Sequence, residues 1–187
     1  MDIKSSIIKA LGGKTTTDEI LAGGMSGASL SFDTRINGIK EYKSWVYTAS
    51  NARARRVSTL KLVLKKNGEI VDKHPFLDVM KKVSKGMSPY QLYFGTQIYL
   101  DLTGNAYWYL TKDTAGNVVG IYLLNPEQVK LVASKDNALE VAYYKLGQNI
   151  QLPPEDVVHF KNFNPKAQHP YPHYGMSVLE AISWSIQ

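Results

Sequence analysis

The feature that most constrains this chain is a helix whose two ends are both written in the sequence and which hands over directly to a strand. Ser88-Pro89-Tyr90-Gln91 opens it. A serine hydroxyl accepts from the free amides of a first turn, proline is pre-set for that turn, and the glutamine three positions on closes a capping box. Tyr90, Phe94, Ile98 and Leu102 recur on one face to about Thr103, and Gly104 stops the helix. Residues 105–111 follow at once with Tyr107, Trp108 and Tyr109, which suit a pleated, half-buried surface.

The flanks fit around this unit. Residues 42–58 lack Gly and Pro, and Trp45, Ala49, Ala52 and Arg56 recur with helical spacing, predicting an amphipathic helix with that stripe inward. Leu60, Leu62 and Leu64 then alternate with Lys61, Val63 and Lys65, predicting a strand. Asn67-Gly68 turns it into a hairpin that returns at Ile70-Val71. His74-Pro75 opens a short helix carrying Phe76, Leu77, Met80 and Val83, which ends at Gly86. Beyond residue 111, strands are predicted over 118–124, 129–133, 141–145 and 157–163. A proline-rich loop spans 164–174, and a helix runs from about Val178. The fold class is therefore α+β, with helices packed on antiparallel strands and hairpins. Residues 1–40, with Gly12-Gly13 and Gly23-Gly24 among many hydroxyls, read as a flexible N-terminal arm, and residues 41–187 as the ordered domain. The last helix meets no stop signal by Gln187, so a longer protein is expected.

Composition excludes several functions. The 187 residues are 44% hydrophobic, 11% aromatic and 20% charged, enough to bury a core. There is no cysteine, which removes disulfides, thiolate metal sites and a cysteine nucleophile. No signal peptide and no membrane-length apolar run is visible, so we expect a soluble chain made in a cytoplasm. The net charge of +6 is uneven, at +8 over residues 1–93 and −2 over 94–187. A basic half suggests an anionic partner, nucleic acid first. Because no basic run exceeds three residues, a solvated surface is the reading we favour.

No catalytic constellation emerges. Gly12-Gly13-Lys14-Thr15 lacks the first glycine of a P-loop. His169 and His173 have metal-ligand spacing only on a helix, and Pro170 and Pro172 forbid one. His159 sits in an alternating strand without a serine elbow to serve. Asp18-Glu19 and Glu155-Asp156 are adjacent pairs, which seldom converge on one bond. Neither metal nor cofactor is expected. A basic set remains: Arg53, Arg55 and Arg56 on the first helix, then Lys61, Lys65 and Lys66. It suits phosphate contacts or ion pairs within and between subunits. We favour ion pairs, since Arg56 falls on the predicted apolar stripe.

Several motifs in fixed order carry a resemblance. These are Asn51-Ala52-Arg53-Ala54-Arg55-Arg56-Val57, His74-Pro75-Phe76-Leu77, Met87-Ser88-Pro89-Tyr90 and Leu102-Thr103-Gly104-Asn105-Ala106-Tyr107. They continue with Leu124-Asn125-Pro126, Pro154-Glu155-Asp156-Val157-Val158-His159 and Tyr174-Gly175-Met176-Ser177. In this order the chain resembles the portal proteins of tailed phages, the family that includes the HK97-type portals, over about residues 40–187. Val178 stands where the family commonly has proline.

The resemblance implies a non-enzymatic subunit of a homo-oligomeric ring, usually a dodecamer, at one capsid vertex of the virion. It also implies manufacture in the bacterial host cytoplasm. The ring would conduct double-stranded DNA without sequence preference during packaging and ejection. Its implied partners are the terminase large subunit, the major capsid or scaffold protein and a head-tail adaptor, with no membrane. Most of this chain would be the wing region, with stem, clip and crown further on. His74, Pro75, Ser88, Pro89, Gly104, Asn105, Tyr107, Pro126, Asp156, His159, Gly175 and Ser177 would be structural motif residues. The alternative is a non-catalytic nucleic-acid-binding module that uses the basic helix.

Overall fold

The computed structural model describes residues 38–134, 137, 140–165 and 174–183. Residues 1–37 of the predicted arm, with its Gly-Gly-Lys-Thr stretch, and His169, His173 and the last four residues lie outside these. A single helical turn, Ile39–Glu41, leads into α1 (Ser44–Ser58). A short ribbon follows, β1 (Lys65–Lys66) and β2 (Glu69–Ile70), then α2 (Pro75–Lys81) and α3 (Pro89–Thr103). The strands β3 (Asn105–Lys112), β4 (Val118–Leu124), β5 (Val129–Ala133), β6 (Val141–Leu146), β7 (Ile150–Leu152) and β8 (Val157–Lys161) come next, before α4 (Val178–Ser183). The α+β layout expected from the sequence is the one observed.

Two antiparallel three-stranded sheets form the β part, in orders β4-β3-β8 and β5-β6-β7. Strand β3 is the axis of the molecule, paired with β4 from Tyr107↔Leu124 and with β8 from Asn105↔Lys161. Side chains alternate across a strand, so β3 serves two cores. Tyr107 and Tyr109 pack with Val129, Leu131, Tyr144, Leu152 and Val157, joining the two sheets. Trp108 and Leu110 turn to the helices, against Met80, Val83, Leu92 and Ile121. A third cluster, Ala54, Ile98 and Leu102, holds α1, α3 and α4 together with Val46, Phe94 and Leu179.

Helix α3 is thus covered on two sides, and the sequence periodicity caught only one. Ile98 and Leu102 face α1, but Leu92 and Thr96 face the sheet, where Trp108 Nε1 donates to Thr96 Oγ1 at 2.7 Å. Tyr90, at the start of the predicted face, stays exposed and stacks on Phe94.

Three expectations need correction. The predicted inward stripe of α1 faces out: Trp45 is 55% exposed, and Ala52 and Arg56 are exposed. Ser50, Asn51, Ala54 and Ser58 face in. Their small side chains admit α3, and Asn51 is satisfied by donating to the Tyr42 hydroxyl at 2.6 Å and the Tyr47 carbonyl at 2.7 Å. A hydrophobic scan cannot find a buried face made of serine and asparagine. Residues 60–64 pair as no strand, because the hairpin is only two residues per arm with one further bond, Val71 N to Leu64 O. Its turn is as expected, with Asn67 and Gly68 both at positive φ, 51° and 87°, as a tight hairpin turn demands. Finally, β8 ends at Lys161, short of the predicted 163, and β7 has no counterpart in the sequence reading.

Candidate functional site

The densest polar construction among the described residues is where α3 becomes β3. Gly104 is left-handed at φ 74°, and a Cβ there would sit 2.5 Å from the Met176 carbonyl carbon and 2.6 Å from Gly175 O. Only glycine fits that backbone and that approach. The next residue, Asn105, is 1% exposed and ties three segments together. Its Nδ2 donates to Thr103 O at 2.8 Å and Gly175 O at 3.3 Å. Its Oδ1 accepts from Gly175 N at 2.7 Å and lies 3.0 Å from His159 Nε2. An oxygen that accepts from a backbone amide also fixes the imidazole beside it, so His159 donates from Nε2. The His159 ring stacks on Tyr107 at 4.4 Å between centroids and meets Tyr144 edge-on at 6.1 Å.

Neighbouring groups extend the knot. Thr103 Oγ1 donates within it, and the Asn105 amide donates back to that hydroxyl at 3.2 Å. Asn162 brings β8 in: its amide donates to Gly104 O at 3.0 Å, and its Nδ2 to Leu100 O and Met176 O. Ser177, 1% exposed, opens α4 by accepting from Glu180 N at 2.9 Å. The Tyr174 hydroxyl accepts from Leu131 N at 3.0 Å, tying the same loop to the second sheet. Chemically, these groups are spent on one another and on the backbone. The geometry holds four chain segments in register.

The remaining motif residues finish element ends. His74 Nδ1 accepts from Phe76 N at 3.2 Å ahead of Pro75, which caps α2. Ser88 Oγ accepts from Gln91 N, and Gln91 Oε1 accepts from Ser88 N at 2.8 Å, the full capping box ahead of Pro89. Pro126 is buried in a single turn before β5. Asp156 pairs with Lys112 at 2.5 Å, tying the turn before β8 to the end of β3.

The basic set does not converge on one site. Arg53 Nη1 reaches inward to Asp101 Oδ1 at 3.0 Å, joining α1 to α3. The Asp101 side chain is 5% exposed and also accepts from Gln97 Nε2 at 2.8 Å on the same oxygen. Burial raises its pKa above the ordinary aspartate value, against the opposing pull of Arg53 and Gln97. Its Oδ2 has no hydrogen-bond partner among the described residues. Arg55, Arg56, Lys61, Lys65 and Lys66 are exposed, the last two on the ribbon. Among the described residues, no three His, Asp or Glu side chains gather as a metal site, and no helix is long and apolar enough to cross a membrane.

The family model described as phage portal protein matches residues 44–187, which includes every one of these motifs. The chain belongs to the phage portal protein family. No curated protein matches it. Among solved structures, this portal-family chain is similar to a chain in the neck of an empty gene transfer agent particle computed with C6 symmetry. There the TM-score is 0.72 at 19% identity, covering 91% of this chain and 48% of that one. It is also similar to a chain in the neck of the native particle computed with C12 symmetry, at TM-score 0.65 and 16% identity, covering 92% and 47%. A chain in the virion of the native gene transfer agent gives 0.66 and 17%, with the same coverage. These likenesses establish a shared fold. The chain spans about half the length of the solved chains it matches.

Within the portal motifs, the sequence marked Gly104, Asn105, His159 and Gly175 but not what joins them. Thr103 and Tyr174 stood within those motifs without a role, and Asn162 and Asp101 were missed. Asn162 has no local signal, since its partners Leu100 and Met176 lie 62 and 14 positions away. Asp101 sat one position before a residue of the predicted apolar face, where a carboxylate invites the assumption that it points to solvent.

Proposed function

We propose that this chain is the wing region of a portal subunit, part of a structural, non-catalytic ring at one capsid vertex that conducts double-stranded DNA in packaging and ejection. The observation that carries the reading is the family match over residues 44–187. The fold shared with chains from particle necks of six-fold and twelve-fold symmetry supports it. A twelve-membered homo-oligomer in the virion follows as the working assembly. Its partners would be the terminase large subunit, the major capsid or scaffold protein and a head-tail adaptor. In this reading residues 41–187 form one domain behind an N-terminal arm. The stem, clip and crown belong to the half of the matched chains that this one does not cover.

The physical design is consistent with that role. A ring is a head-to-tail contact repeated about an axis, so each subunit needs two different lateral surfaces on a rigid body. The knot at Asn105 supplies rigidity, because it locks helix, strand and loop ends with few free groups. Expression of the complete reading frame followed by negative-stain imaging tests the proposal. Closed rings with a central hole are expected, and a protein that stays monomeric at every concentration overturns it.

One observation keeps the nucleic-acid module in view: Arg55, Arg56, Lys61, Lys65 and Lys66 remain exposed. That reading predicts DNA binding by the isolated chain that weakens steeply with salt, by a log–log slope of about −0.9 per phosphate contact. It fails if exchanging Arg55, Arg56 and Lys61 for Glu leaves DNA affinity unchanged.

A further inference from the structure

The Asn67-Gly68 turn carries a chemistry that the fold leaves open. The ribbon has two residues per arm, paired as Lys65↔Ile70 and Lys66↔Glu69, with one further backbone bond from Val71 N to Leu64 O. Its strands pack chiefly on each other. A hairpin this short is marginal in water, so it opens locally at little free-energy cost. Asn67 and Gly68 are both exposed, and no atom lies within 4 Å of where a Gly68 Cβ would stand. The Gly68 nitrogen therefore has no side chain of its own beside it, and no neighbouring element at that position, to screen it.

We propose that Asn67 is a self-modification site, converted to aspartyl and isoaspartyl forms by its own backbone. When the turn opens, the Asn67 side-chain carbonyl carbon comes within reach of the Gly68 nitrogen. The nitrogen adds to Cγ, the Cγ–Nδ2 bond breaks, and the Gly68 amide proton leaves with Nδ2 as ammonia. The product is a cyclic imide. Solvent water then adds across one of the two C–N bonds of that ring. Opening at Cγ leaves aspartate, and opening at the main-chain carbonyl leaves isoaspartate, with a methylene added to the backbone. No oxidant, metal or enzyme takes part. Either product places a carboxylate beside Lys65 and Lys66. Isoaspartate also lengthens the turn that sets the Lys66↔Glu69 register.

The structure withholds this reaction from the other described asparagines. Asn125 and Asn164 precede prolines, which have no amide proton to give. Asn51 and Asn105 are buried, and both side-chain polar atoms of Asn105 are hydrogen-bonded. Asn117 and Asn137 donate from Nδ2 to the Asp113 and Glu140 carboxylates, and Asn162 donates to Leu100 O and Met176 O. Asn37-Gly38 begins outside the described residues, and its glycine is buried.

Protein from the complete reading frame is held at neutral and at mildly alkaline pH, beside a synthetic peptide of residues 61–73. Cleavage after Lys66 and Lys73 isolates Asn67 from every other asparagine, and mass spectrometry with an isoaspartyl assay reads both products. Asn67 in the protein is expected to convert ahead of every other described asparagine, at a rate within about tenfold of the peptide's, as a segment that opens almost freely demands. The rate should rise with pH, because the attacking nitrogen must lose its proton. Asn67→Gln, whose ring would be larger by an atom, should stay unconverted over the same period. An Asn67 that converts more slowly than that, or not at all, overturns the proposal, because the turn then holds closed. Conversion that begins at Asn105, Asn117 or Asn162 overturns it too. A rate indifferent to pH removes the cyclic-imide route and with it the proposal.

Discussion

The knot around Asn105 and the ribbon with residues 60–64 that lead into it are built on opposite principles. In the knot, polar groups are buried and nearly all matched: Asn105, Thr103 and Ser177 are at most 1% exposed, and each is hydrogen-bonded. In the ribbon, apolar groups are exposed and unmatched. An unpaired buried polar group and an exposed apolar patch both cost free energy, so a chain retains them in quantity only where something compensates. For the knot, the compensation lies inside the chain, in Gly175, His159 and Asn162. For the ribbon, the described residues supply none. The comparison separates a part of this portal-family chain that is satisfied from within from a part that is left facing solvent.

Substitutions can break or sharpen that contrast. The largest effect is expected at Tyr107, which is 1% exposed and contacts both His159 and Tyr144. Tyr107→Ala should lower unfolding stability by about 3–5 kcal/mol in denaturant melts, the usual cost of deleting a buried aromatic ring. Asn105→Ala comes next, at about 2–4 kcal/mol, because it strands the Gly175 amide and the Thr103 carbonyl where each unpaired buried group costs ~1–3 kcal/mol. If it proves neutral, the knot is packing and its hydrogen bonds are incidental. Ser88→Ala, which removes the capping box of α3, should cost about 1 kcal/mol. Leu60→Ser, in the segment that leads into the ribbon, should change the stability of the fold by less than about 0.5 kcal/mol in the same melts, since Leu60 is 70% exposed. A large loss of monomer stability there would show that the ribbon packs on its own fold after all.

Between these regions lies Asp101, buried like the knot but left with one oxygen unmatched like the ribbon. Its pKa is raised, first by burial. A carboxyl with a raised folded-state pKa holds its proton longer in the native protein than in the unfolded chain, so stability falls as pH climbs from the ordinary aspartate value through the raised one. Asp101→Asn should flatten that fall in pH-dependent melts. An unchanged pH profile would mean that Arg53 and Gln97 already satisfy the charge.

The sequence was most legible where the physics is local. The capping box at Ser88, the left-handed stop at Gly104 and the Asn67-Gly68 turn each involve groups within four residues, and all three stand as read. It was least legible where the partner is distant. The inward face of α1 consists of Ser50, Asn51, Ala54 and Ser58, residues that a hydrophobic stripe cannot reveal because their burial depends on α3 being there. The alternation at residues 60–64 read as strand for the complementary reason: the pattern was there, but no strand lies alongside to pair with it.

The sequence by itself determined the start of α2, both ends of α3 and the class of fold, because caps, turns and periodicity are energies of neighbouring residues. The ordered motifs also carried the portal resemblance. Only the tertiary structure decided that Asn105, His159, Asn162 and Gly175 form one knot, that Arg53 turns inward to Asp101, and that the leucines after α1 face solvent. Each of those outcomes depends on which groups lose water when distant segments meet, and a lone sequence does not specify that encounter.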